Sequence, residues 1–104
     1  MTTINVATDF YKRPAGRFKK DGSYSGEAFR DDVLTPKLKA LSENEKLIID
    51  FSEVSMSASS FLEEAFGGLV RGGFTSGELE QKIKIVAHNN PAIPEKVWEY
   101  IRSA

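Results

Sequence analysis

The sequence predicts an α/β sandwich in which a small, mixed but largely parallel sheet of about four strands packs with three or four helices. Three observations carry this expectation. Two apolar runs, KLIIDF at 46–51 and KIKIVA at 82–87, have the β-branched content of strands. Around them, apolar residues recur at helical spacing in three other segments. Single helices between strands favour parallel pairing through crossover connections.

Taken in order, Ile4 and Val6 alternate with Thr3 and Asn5, as in a strand with one buried face. From 13 to 26 the chain is dense in turn residues, with Pro14, Gly16, Asp21, Gly22 and Gly26 marking bends. This segment reads as loop with one short strand near Arg17 and Phe18. Phe29, Val33, Leu34, Leu38 and Leu41 then define a helix with Lys37 and Lys39 on its outer face, and Pro36 must kink or restart it. Lys46 to Phe51 is nearly continuous in apolar residues, which suits a strand covered on both faces. Leu62, Ala65, Phe66, Leu69 and Val70 share one face of the next helix, which Gly72 and Gly73 end. Lys82 to Ala87 alternates apolar and cationic positions as a third clear strand. Pro94 fits a first helical turn, and Val97, Trp98 and Ile101 give that last helix its apolar stripe.

At 104 residues the chain is read as one domain, 1–104. With 14 Lys and Arg against 15 Asp and Glu, the net charge of −1 supplies no large field for a polyphosphate, so nucleic acid is not an expected partner. The absence of Cys excludes disulfides, thiolate metal sites and a cysteine nucleophile. A single His leaves only carboxylates as metal ligands. Asp31 with Asp32, and Glu63 with Glu64, read more simply as helix-surface charges, so neither metal nor cofactor is expected. No signal-like apolar run or membrane-length segment is present, which makes the cytoplasm the default location.

The segment IIDFSEVSMSASSFLEEAF, Ile48 to Phe66, resembles the signature of STAS domains, the fold of anti-sigma factor antagonists. In that family an apolar strand ends in Asp, a hydrophobic residue follows, and an Asp-Ser-Ser-Gly-Leu element opens the next helix. Asp50 and Val54 match, followed by Ala58, Ser59, Ser60, Phe61 and Leu62, with Ala58 replacing the family's Asp and Phe61 its Gly. A closer likeness is to a STAS-like family of unassigned function. Its Gly-Arg element, Ser-Gly-Glu-x-Phe-Arg run and Ser-Phe before an acidic helix match Gly16, Arg17, Ser25, Gly26, Glu27, Phe29, Arg30, Ser60 and Phe61. The resemblance implies a STAS-like sandwich that regulates by docking on a signalling partner, an ATPase of the histidine-kinase-like class or a related kinase. It also places Ser59 where anti-sigma antagonists carry their phosphate switch, with Ser60 as the neighbouring candidate acceptor.

Local chemistry adds further expectations. Ser60 and Glu63 have capping-box spacing, which makes Ser60 the expected N-cap. Placing the apolar face of this helix on the sheet turns Glu64 and Arg71 outward, with Gly67 and Gly68 as a bare strip beside them. Met56, Ser57, Ser59, Glu64, Gly67, Gly68 and Arg71 are therefore the expected partner-binding residues. Alanine at either glycine should raise stability and weaken partner capture. Two alternatives stand beside docking. Arg13, Arg17, Lys19 and Lys20, with a helix N-terminus at Ser25 and Gly26, suit a small phosphate-bearing ligand. More remotely, Ser59 or Ser60 with His88 and Asp50 resembles a hydrolytic triad, although no nucleophile-elbow motif is present and no enzyme is expected.

Overall fold

Strands β1 (Thr2–Asn5), β2 (Leu47–Asp50) and β3 (Ile83–Val86) form a parallel sheet in that order, in a computed structural model that describes residues 2–55 and 57–104. The register aligns Ile4 with Ile49 and Ile49 with Ile85, one buried row across all strands. The neighbouring row, Thr3, Ile48 and Lys84, is exposed or half-buried. Leu47, Ile49 and Phe51 are fully buried while Ile48 and Asp50 are not. The near-continuous apolar run is thus a one-sided strand, because this narrow sheet carries its helical layer on one face only. The expected small, largely parallel sheet is present, wholly parallel and with three strands among the described residues in place of about four.

The missing strand has a physical reason. The backbone of 15–17 does pair with 24–27, through N–H groups of Gly26 and Glu27 donated to the carbonyls of Gly16 (2.9 Å) and Arg17 (3.0 Å). However, that partner turns helical at Gly26, so no extended ladder can form, and the following residues make a 3₁₀ turn, Lys19–Asp21. The N-terminal strand is also shorter than its alternation suggests. Asn5 closes it by accepting from the Thr8 N–H at 3.4 Å, starting the single helical turn α1 (Val6–Asp9).

Two longer helices dominate the covered face. Helix α2, residues 26–40, comprises Gly26–Phe29, a wide π turn over Arg30–Leu34, and Thr35–Ala40. Pro36 lies in the first turn of the last segment, where its ring would press on the carbonyl four residues back and its missing N–H breaks the ordinary ladder. The π turn just before it opens the spacing, with the Thr35 N–H donating to Arg30 O. Pro36 therefore widens the helix instead of ending it. Helix α3, residues 59–71, is built likewise from Ser59–Leu62, a π turn Glu63–Gly67, and Gly68–Arg71. Gly73, at φ +120°, closes it, with N–H groups of Gly73 and Phe74 donated to Val70 O and Leu69 O. Helices α4 (Ser76–Lys82) and α5 (Ala92–Ser103) complete the chain, α5 packing against the middle of α3.

The core between sheet and helices contains Phe29, Phe51, Phe61 and Phe66, all fully buried. Ring centroids lie 5.5 Å apart for Phe29 and Phe61 and 6.2 Å for Phe51 and Phe66, within the range of favourable aromatic pairs.

Cap assignments also shift. Helix α3 begins two residues early: Ala58 is its N-cap, no side chain caps it, and Ser60 lies inside the first turn. Glu63, the expected second half of the box, is drawn away by Arg17 and Arg71. Besides Asn5 on α1, side-chain caps are found on α2, where buried Ser25 Oγ accepts from the Ala28 N–H at 3.1 Å, and on α4, where Thr75 and Glu78 form a reciprocal box. Urea melts should therefore show Ser25→Ala losing about 1–2 kcal/mol and Ser60→Ala a few tenths at most. Equal losses would restore Ser60 as a cap.

Candidate functional site

In a parallel sheet the loops after the strand ends face the same edge, which is where such folds place their sites. Here that edge carries the ends Asn5, Asp50 and Val86 and the loops that follow them. Asp50 accepts from the Ser52 N–H at 2.8 Å, and Ser52 Oγ accepts from the His88 N–H at 3.0 Å. Ser52 holds the Asp50 carboxyl below the ordinary carboxylate range, ahead of an opposing cost of burial and a small assist from His88. Asn5 Nδ2 donates to Glu53 at 2.5 Å, and Asn89 Nδ2 to Val54 O at 3.4 Å. The Ser55 N–H donates to Lys12 O at 2.9 Å, tying the loop between β2 and α3 to the segment after α1. The loop that leads to Ser59 is thus anchored at its start.

Ser59 is exposed in the first turn of α3, and Ser60 is half-buried. Among the described residues neither hydroxyl bonds to His88 or Asp50, whose contacts run through Ser52 instead. The triad arrangement is therefore not assembled in this structure. Ser57 is half-buried, and its Oγ is sealed from solvent without a hydrogen-bond partner. Met56 lies outside the described residues.

The other expected partner residues occupy a different environment from the one their helical spacing suggests. Glu64 is buried, not outward, and both glycines are buried with it. Three arginines cover this side of α3. Arg30 Nη1 donates to Glu64 Oε2 at 2.6 Å and to Glu64 O at 2.8 Å. Arg17 Nη1 reaches Glu63 Oε1 at 2.5 Å and Glu64 Oε1 at 3.3 Å. Arg71 forks onto both oxygens of Glu63, at 2.8 and 3.1 Å, and is exposed, unlike Glu64, Gly67 and Gly68. The Arg71 guanidinium, then Arg17 against a cost of burial, keeps Glu63 below the usual carboxylate range. With Asp31 on Arg30 Nε, three cations meet three anions, so the cluster is internally neutral.

Pairing also dismantles the expected anion loop. Arg17 is committed to the two glutamates, and Lys19 lies 3.4 Å from Asp31 and 3.9 Å from Asp32. Lys20 stands over the Phe18 ring, 5.7 Å from its centroid, and Arg13 is exposed elsewhere on the segment after α1. At the helix N-terminus, the N–H groups of Gly26, Glu27 and Ala28 are taken by Gly16 O, Arg17 O and Ser25 Oγ. These residues present no free N–H for an anion. The Arg30–Glu64 contact itself had a weak sequence signal: two adjacent helical glycines leave a gap that a long side chain from another element can fill.

The fold agrees with what similarity to known families gives. A family model described as a STAS-like domain of unknown function (DUF4325) matches residues 25–92, from the N-cap of α2 to the first residue of α5. Comparisons with curated proteins and with solved structures returned no match. The matched span is more than half of the chain and contains β2, α3 and β3, so the chain belongs to the family of STAS-like domains of unknown function.

Proposed function

We propose that this domain is a regulatory docking module that presents the loop between β2 and α3, with the first turn of α3, to a protein partner. The observation that supports it best is the Ser59 hydroxyl, exposed on a helical turn that no side chain caps. A phosphoryl group there would meet the positive end of the α3 dipole, where added negative charge is stabilised. Ser60 is less accessible and takes second place. An ATPase of the histidine-kinase-like class, acting in the cytoplasm, is the partner that the family resemblance implies, and docking needs no catalytic chemistry from the domain itself. Among the described residues no helix is long and apolar enough to cross a membrane.

Incubation with such a kinase and ATP should add one phosphoryl mass, lost in Ser59→Ala and retained in Ser55→Ala, whose hydroxyl lies outside the helix. An unchanged mass with a partner that nevertheless binds would leave a constitutive docking module.

A further inference from the structure

Between helices α2 and α3 lies a half-open cavity of about 220 Å³, beside their π turns and away from the loop that carries Ser59. Its wall includes Arg30, where the first π turn starts, and Thr35, which follows that turn. Gly68, immediately after the second π turn, and Gly72 contribute bare backbone. Wide turns of this kind recur at binding sites because they re-aim side chains and interrupt the regular ladder.

Donor chemistry inside the cavity is unspent. The Arg30 guanidinium uses Nε on Asp31 and Nη1 on Glu64, while Nη2 makes no hydrogen bond among the described residues. Nη2 is not sealed either, since the buried unpaired side-chain atom among those residues is Ser57 Oγ. The Arg30 side chain is only 17% exposed and lines this cavity. Lys39 also lines it and forms no ion pair among the described residues, and the Thr35 hydroxyl is likewise unengaged there. Leu69 and Phe74 form an apolar side. Asp31 at the rim is already offset by Arg30 and Lys19.

We propose that this cavity binds a small organic oxyanion, a phosphate monoester or carboxylate on a short carbon body, through Arg30 Nη2, Lys39 and Thr35. The oxyanion head would complete the Arg30 donor set, and the carbon body would lie against Leu69 and Phe74. A volume below the roughly 300–1,000 Å³ of drug-sized sites restricts the ligand to a few heavy atoms beyond the head group. This site is independent of Ser59 and of the docking reading.

Titration with glycerol 3-phosphate and with butyrate, followed by backbone amide chemical shifts, tests it. The expected result is saturable shifts at Thr35, Lys39, Gly68 and Gly72 with at least one compound, and the tighter binder identifies the head group. Lys39→Gln and Thr35→Val should each weaken binding roughly tenfold, the scale for losing one hydrogen bond to a charged group. Both should keep the melting temperature of the unliganded parent. No saturable shift with either compound at millimolar concentration would overturn the site. So would shifts centred on residues 11–24 or on Ser59, or binding that neither variant weakens.

Discussion

Gly26→Ala is expected to destabilise the domain by about 3 kcal/mol, a large share of the roughly 5–15 kcal/mol available to a domain of this kind. A Cβ at this position would lie 2.5 Å from Phe61 O, 2.9 Å from Glu64 Cβ and 3.0 Å from Ala65 N. Two of those atoms are backbone of α3, so no rotamer change relieves the clash. Nor is α2 free to withdraw. The Gly26 and Glu27 N–H groups are bonded to Gly16 O and Arg17 O, and buried Ser25 caps the same turn. Separating the helices would also loosen Phe29 from Phe61. Better helix propensity returns only about 0.5–1 kcal/mol, too little to offset this. Gly77→Ala in α4 is the matched control, since its nearest non-local atom is Thr75 Oγ1 at 4.0 Å; it should gain about 0.5–1 kcal/mol. Parent-like stability of Gly26→Ala in urea would show that the two helices do not touch here.

That crossing shows what the sequence makes legible and what it hides. The apolar runs at 46–51 and 82–87 mark β2 and β3, and turn chemistry marks the end of α3 at Gly72 and Gly73, because those signals depend on neighbours a few residues away. Whether β2 is covered on one face or both depends on how many strands and helices surround it, which composition does not encode. The resemblance to STAS domains singles out Ser59 as a candidate, whereas its place in an uncapped first turn is visible only with the helix boundary. Spacing along the chain pairs Glu63 with a local cap, whereas the fold gives it to Arg71 and to Arg17, 46 residues away. The expected anion loop is altered for the same reason, Arg17 and Lys19 being paired with carboxylates and the N–H groups of Gly26 and Glu27 with carbonyls.

Gly68→Ala should lower stability by about 2 kcal/mol while its neighbour Gly67→Ala is neutral or slightly stabilising, in place of the gain that helix propensity alone predicts for both. At Gly67 a new Cβ would meet Glu63 Oε2 at 2.5 Å and Arg71 Nη1 at 3.2 Å, the far ends of two flexible side chains. They can move aside into solvent. At Gly68 the new atom would overlap Arg30 Nη1 and lie 3.0 Å from both Cδ and Cζ, so the whole end of Arg30 must leave. Arg30 is what neutralises Glu64, whose side chain is only 11% exposed, and the remaining cations lie farther off, with Arg17 at 3.3 Å and Arg71 at 3.6 Å. Stranding a largely buried carboxylate costs about 3 kcal/mol, against which alanine returns about 1 kcal/mol. A double-mutant cycle isolates the mechanism. In an Arg30→Ala background the obstruction and the ion pair are both gone, so adding Gly68→Ala should then stabilise the protein by about 1 kcal/mol. If Gly68→Ala costs the same with and without Arg30, the glycine is required by backbone geometry, and the guanidinium is not what occupies the space above it.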